Sequence, residues 1–183
     1  MAATPSKMLA LGTKLPEFEL VDTISGDLIS SSILNKKANL IMFICNHCPY
    51  VIHIVKEISK LATDYKDRDF AFIAISSNDI TNYPQDSPEK MKEFAKNENF
   101  TFPYLFDESQ NVARNFQAAC TPDIFLFNNV KELVYRGQFD DSRPSNLIPV
   151  TGQHLRQAID DLLNNITPDS NQIPSIGCNI KWK

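Results

Sequence analysis

The chain has 183 residues, of which 43% are hydrophobic and 22% charged, with a formal net charge of −4; this suits one globular domain with a sizeable core. The acidic balance, with no Lys/Arg cluster beyond Asn35-Lys36-Lys37, excludes the basic face that nucleic-acid binders carry. No apolar run reaches the length of about 18 residues needed for a membrane span, and the N-terminus lacks the apolar core of a signal peptide, so a cytoplasmic chain with no membrane partner is expected.

In chain order, residues 17–29 (EFELVDTISGDLI) alternate apolar and polar around Ser25-Gly26 and predict an N-terminal hairpin. The uncharged run ANLIMFI (38–44) predicts a central strand covered on both faces. Val51, Val55, Ile58, Ala62 and Tyr65 then recur at helical spacing, with Pro49 in the first turn. FAFIAIS (70–76) is a second buried strand, and Ser87-Pro88 caps and opens a helix to about Lys96. A short apolar run FPYLF (102–106) leads to a short helix from Ser109 to about Phe116. CTPDIFLF and LVYRGQF then pair across the NNVK turn. A last helix spans about Thr151 to Asn164, and the tail from 167 to 183 ends in apolar residues that suggest docking. The expected architecture is α/β, a central mixed sheet flanked by helices, with an N-terminal hairpin extension and a C-terminal tail.

The chemistry concentrates at Cys45 and Cys48, two residues apart where the first core strand gives way to a helix. In a reducing compartment such a pair reads as redox or metal-binding rather than as a structural disulfide. A helix beginning near His47 would put Cys45 just before it and Cys48 in its first turn, where free N–H groups and the helix dipole lower a thiol pKa. Cys45 is then the expected thiolate nucleophile and Cys48 the resolving thiol, with His47 between them adding positive charge or donating to the Cys45 sulfur. No Asp or Glu lies between Asp27 and Glu57, so Asn39 or water is left to handle the proton of the second thiol.

These residues carry a resemblance. The C-x-x-C after the first core strand and Thr121-Pro122 before the hairpin resemble the thioredoxin fold over roughly residues 15–165, within a single 1–183 domain whose tail, 167–183, docks on it. LALGTKLPEFEL resembles the start of redoxin and alkyl hydroperoxide reductase (thiol-specific antioxidant) proteins. CNHCPYV, TPD, YRGQFDDSRP and IGCNIKWK resemble a peroxiredoxin-like group of thioredoxin-family proteins. The resemblance implies a cis peptide bond at Thr121-Pro122 and a substrate-binding role for both residues. It also implies a thiol-disulfide oxidoreductase with no cofactor, exchanging with protein disulfides or a thioredoxin-type reductant as a monomer or homodimer. The peroxiredoxin signature P-x-x-x-T-x-x-C fails here: its Pro and Thr positions hold Ala38 and Met42 counted from Cys45, or Ile41 and Cys45 counted from Cys48.

A thiol-dependent peroxidase is the alternative activity, and a copper- or zinc-binding chaperone the alternative class; a structural zinc needs four ligands, no second C-x-x-C supplies them, and no metal is expected. Cys120 and Cys178 are candidate auxiliary thiols: Cys120 as a redox group or a small buried hydrophobe, Cys178 as a resolving thiol, an inter-subunit partner or a docking residue. The loop GQFDDSRPSN (137–146) is expected at the rim of the site without a catalytic role, and His53 and His154 as ordinary helix residues.

Overall fold

The computed structural model describes residues 3–183; Met1 and Ala2, the first positions of the expected domain, lie outside the described residues. The elements are β1 (Ala3–Pro5), β2 (Glu19–Asp22), β3 (Leu28–Ser30), β4 (Ala38–Phe43), α1 (Pro49–Tyr65), β5 (Phe70–Ser76), α2 (Pro88–Asn97), β6 (Tyr104–Phe106), α3 (Asn111–Asn115), β7 (Cys120–Thr121), β8 (Asp123–Phe127), β9 (Leu133–Tyr135), α4 (Gln153–Leu163) and β10 (Ile176–Asn179). Seven strands form a mixed sheet in the order β3-β2-β6-β5-β4-β8-β9, and β1-β10-β7 form a small second sheet.

β4 lies at the heart of the large sheet, parallel to β5 and antiparallel to β8. All six of its residues are buried, as a strand without charge on either face requires. Leu40 and Met42 join the cluster that includes Ile54, Ile58 and Leu61 of α1, Met91 of α2 and Leu155 and Ile159 of α4. Ile41 and Phe43 face the other way, into Phe116, Phe125, Phe127 and the N-terminal Leu9, Leu15 and Phe18. Phe116 is the hub of that side, with its ring 5.4 Å from both Phe43 and Phe125 in edge contacts, each worth about 0.5–1.5 kcal/mol beyond area burial.

The helix starts follow local chemistry. Pro49 and Pro88 occupy first helical positions, where a missing N–H costs nothing, and Ser87 Oγ accepts from the Lys90 N–H at 3.4 Å. The N-terminal hairpin forms as expected and extends the large sheet: β2 pairs with β6, stitched by Asp22 Oδ1, which accepts the Tyr104 N–H at 2.9 Å. Two expectations are corrected. The segment 120–127 does not run as one strand beside 133–139, because the Thr121-Pro122 bond is cis and Pro122 has no N–H for a ladder; β8 pairs with β9, while β7 pairs with β10. α3 begins later than expected because Gln110 sits at φ 63, its amide donating to the Ser77 and Lys181 carbonyls at 2.7 and 2.8 Å.

Among the described residues, no helix is long and apolar enough to cross a membrane.

Candidate functional site

The site lies at the carboxyl ends of the parallel strands β4 and β5, where open α/β sheets leave a crevice. The Ile44 N–H still bonds the Ile75 carbonyl at 2.9 Å; the chain then leaves the sheet, and Cys45, Asn46 and His47 cross to the helix. Pro49 sets the first helical residue, so Cys48 is the N-cap of α1, with extended backbone (φ −73, ψ 121). The helix therefore starts two residues later than the sequence suggested, and its terminus belongs to Cys48 rather than to Cys45.

Both thiols are free and buried, Cys45 at 1% exposure and Cys48 at 0%. Their mutual interaction pushes Cys48 down to about 4 and raises Cys45. Further donors at Cys48, including the Val51 N–H in the first turn, favour its anion, as expected at a helix N-terminus. At Cys45, burial and the negative Asp86 both oppose ionisation. The two thiols thus share one proton, and the helix terminus favours the anion on Cys48. A second arrangement of the same proton is built in: the Cys48 thiol can donate to the Thr121 carbonyl oxygen, 3.0 Å away, leaving Cys45 charged with the Thr121 hydroxyl 3.4 Å from its sulfur. The couple titrates as a unit.

Asp86 is the functional residue that sequence reasoning missed. It ends the loop after β5, in a 3-10 turn at Pro84–Asp86, and is completely buried. Its carboxylate accepts the Asn46 N–H at 2.9 Å and the Asn78 amide at 2.8 Å, and meets His47 Nδ1 at 2.8 Å. His47 in turn stacks on Tyr83, rings 5.8 Å apart and 8° from parallel. Asn39, assigned the proton-handling role from sequence, sits instead at the far end of β4, where its side chain bonds Lys36 and Asn128. No sequence signal joins Asp86 to the thiols; its loop reaches them through the parallel pairing of β4 with β5.

Donor atoms of Cys45, His47 and Asp86 lie within 4.8 Å of one another. They amount to three ligands where structural zinc takes four.

Thr121 contacts both sulfurs, and its bond to Pro122 is cis, as the resemblance implied. Cys120 points away: its thiol contacts the Pro122 carbonyl at 3.4 Å, and burial with the nearby Asp123 raises its pKa far above the ordinary range. Asp123 is itself buried and pushed up to about 6 by that burial. Cys178, on β10, lies opposite Thr121 in register and is raised to about 12 by burial and by its hydrogen bond to Cys48. The 137–146 loop reaches the site edge: His53, Pro122, Phe139, Arg143 and Ser175 line one small cavity of about 20 Å³. His154 is held by Gln138 at 2.9 Å, outside this cluster.

A model of the AhpC/TSA family matches residues 11–139. No curated protein matches the chain. Among solved structures, an uncharacterized conserved protein from Geobacillus kaustophilus is 49% identical, with TM-score 0.98 over 100% of this chain and 97% of that one. A hypothetical protein from Sinorhizobium meliloti 1021 is 43% identical, with TM-score 0.96 over 98% of each chain. The thioredoxin domain of a thiol-disulfide oxidoreductase from Bacteroides vulgatus is 16% identical, with TM-score 0.64 over 82% of this chain and 99% of that one, a likeness of fold. The fold is thioredoxin-like.

Proposed function

The chain belongs to the AhpC/TSA family, and on that premise we propose that it is a thiol-disulfide oxidoreductase exchanging its Cys45–Cys48 dithiol with protein disulfides. The observation that carries the reading is the pair of buried sulfurs at the N-terminus of α1, both held against Thr121. With the shared proton on Cys48, the Cys45 thiolate attacks one sulfur of the substrate disulfide. A mixed disulfide forms, and the other substrate sulfur leaves as a thiolate and takes up a proton. Cys48 then loses its proton and attacks the Cys45 sulfur, closing Cys45–Cys48 and releasing the second substrate thiol. The substrate gains two electrons and the pair loses two, to be restored by a thioredoxin-type dithiol. His47 and Asp86, beside Cys45, relay the proton that Cys48 gives up to the departing substrate sulfur, and Thr121 and Pro122 present the extended substrate. Cys120, turned away and hard to ionise, takes no step. The four free cysteines suit a reducing compartment such as the cytoplasm.

The family also includes peroxide-reducing enzymes, which makes a thiol peroxidase the second reading. Against it, the positions that would polarise peroxide hold Ala38 and Met42, apolar residues buried in β4. Purified protein assayed for reduction of a protein disulfide and for peroxide consumption separates the two. Exchange predicts disulfide reduction that Cys45→Ser abolishes by at least about 100-fold, with Cys48→Ser accumulating a mixed disulfide on Cys45. Peroxide consumption that outpaces disulfide reduction and survives Cys48→Ser would favour the peroxidase.

A further inference from the structure

Under the exchange reading, Thr121 offers its backbone to an extended substrate, yet in the structure that strand already has a partner. β10 lies antiparallel along β7, with Cys178 opposite Thr121 and Asn179 opposite Cys120, and the Ile180 N–H continues the pairing to the Ala119 carbonyl at 3.1 Å. The other edge of β10 is taken by β1. The approach is close enough to demand glycine at 177, where a Cβ would fall 1.9 Å from the Thr121 carbonyl oxygen. The strand is thus seated where a substrate strand would sit, and it carries a cysteine.

That cysteine adjoins the redox pair. Cys178 is buried at 2% exposure in the same cluster as Cys45 and Cys48, and the Cys48 thiol donates to the carbonyl of Thr121 at 3.0 Å, the residue directly opposite Cys178 in register, while Cys45 lies against the Thr121 hydroxyl. The Cys48 sulfur is therefore the shared neighbour of two thiols, the arrangement that disulfide exchange requires of its central atom. Building on the exchange function proposed above, we propose that Cys178 is a third redox thiol, which takes over the disulfide from Cys45 by bonding to Cys48. The Cys178 thiolate attacks the Cys48 sulfur of the oxidised pair; the Cys48–Cys178 bond forms as the Cys45–Cys48 bond breaks, and the bonding electrons leave on Cys45. The proton given up by Cys178 ends on Cys45, and the chain as a whole is neither oxidised nor reduced. Two of the influences that hold Cys178 protonated, the hydrogen bond and the charge of Cys48, vanish once Cys48 is in a disulfide, while Lys181 continues to favour the Cys178 anion. The relayed form fixes β10 covalently across the β7 edge and returns Cys45 as a thiol.

The test is peptide mapping by mass spectrometry, without reduction, of full-length protein oxidised with diamide and then alkylated. Cys45→Ser should yield a monomer with a Cys48–Cys178 linkage, leaving Cys120 as the alkylated thiol, and the wild type should show this linkage beside Cys45–Cys48. A wild type that forms Cys45–Cys48 while neither protein ever forms Cys48–Cys178 overturns the relay and leaves the exchange function standing. Cys48–Cys178 without any Cys45–Cys48 in the wild type from the earliest time of oxidation onward supports contact between the two thiols but sinks both the exchange function and the relay that rests on it. The wild-type arm keeps the test decisive if Cys45→Ser does not fold.

Discussion

At the scale of single residues, the distribution of charge around the two sulfurs decides which one is an anion. Cys48 has the helix terminus; Cys45 has a buried carboxylate within 4.8 Å. An opposing charge at that range displaces a thiol pKa by about one to three units. Asp86→Asn should therefore move the pH profile of Cys45 attack on a small aromatic disulfide to lower pH by about one to three units. An unchanged profile would reduce Asp86 to a structural tie for Asn46 and Asn78. Cys45 and Cys48 were legible in the sequence because two residues of spacing at a strand-to-helix junction place them together without any tertiary knowledge. Asp86 was not legible: it lies 40 positions beyond Asn46, and only the parallel pairing of β4 with β5 carries its loop back to the thiols. The helix start was placed early for a smaller reason, since Pro49 begins the helix and moves the N-cap to Cys48.

At the scale of elements, the strands buried on both faces were readable as apolar runs, and the helices as 3.6-residue periods closed by Pro and Ser. β10 was not. Its residues Ile176–Asn179 have the burial pattern exposed, buried, buried, exposed, which matches neither a strand nor a helix period, and its pairing with β7 depends on where the cis-Pro turn leaves the chain. The apolar residues of the tail announced that it docks without saying where. Gly177 now gives the docking a direct test. Gly177→Ala should lower stability by about 1–3 kcal/mol, the cost of forcing atoms into a filled space, and should speed alkylation of Cys178 as β10 lifts from β7. Unaltered stability and alkylation would mean that the Thr121 carbonyl and β10 are not held in this close contact.

For the whole molecule, the α/β layout followed from the order of apolar runs and helical periods, and the mixed sheet from the switch to a hairpin after Pro122. The covered state of the site could not be read from the sequence, because it arises from contacts among segments far apart in the chain: the 137–146 loop, β10 and the N-terminus of α1. With Cys45 at 1% and Cys48 at 0% exposure, exchange with another protein requires some of this cover to open. The fold therefore both builds the thiol pair and restricts access to it. The most direct test of the central claim is to equilibrate the protein in glutathione buffers of increasing oxidising strength, alkylate the remaining thiols and map the peptides. Cys48 is predicted to lose alkylation in one two-electron step and to appear linked to Cys45 or, through the relay, to Cys178. If Cys45 and Cys48 stay fully alkylated in every buffer while the protein still reduces protein disulfides, the chemistry lies elsewhere.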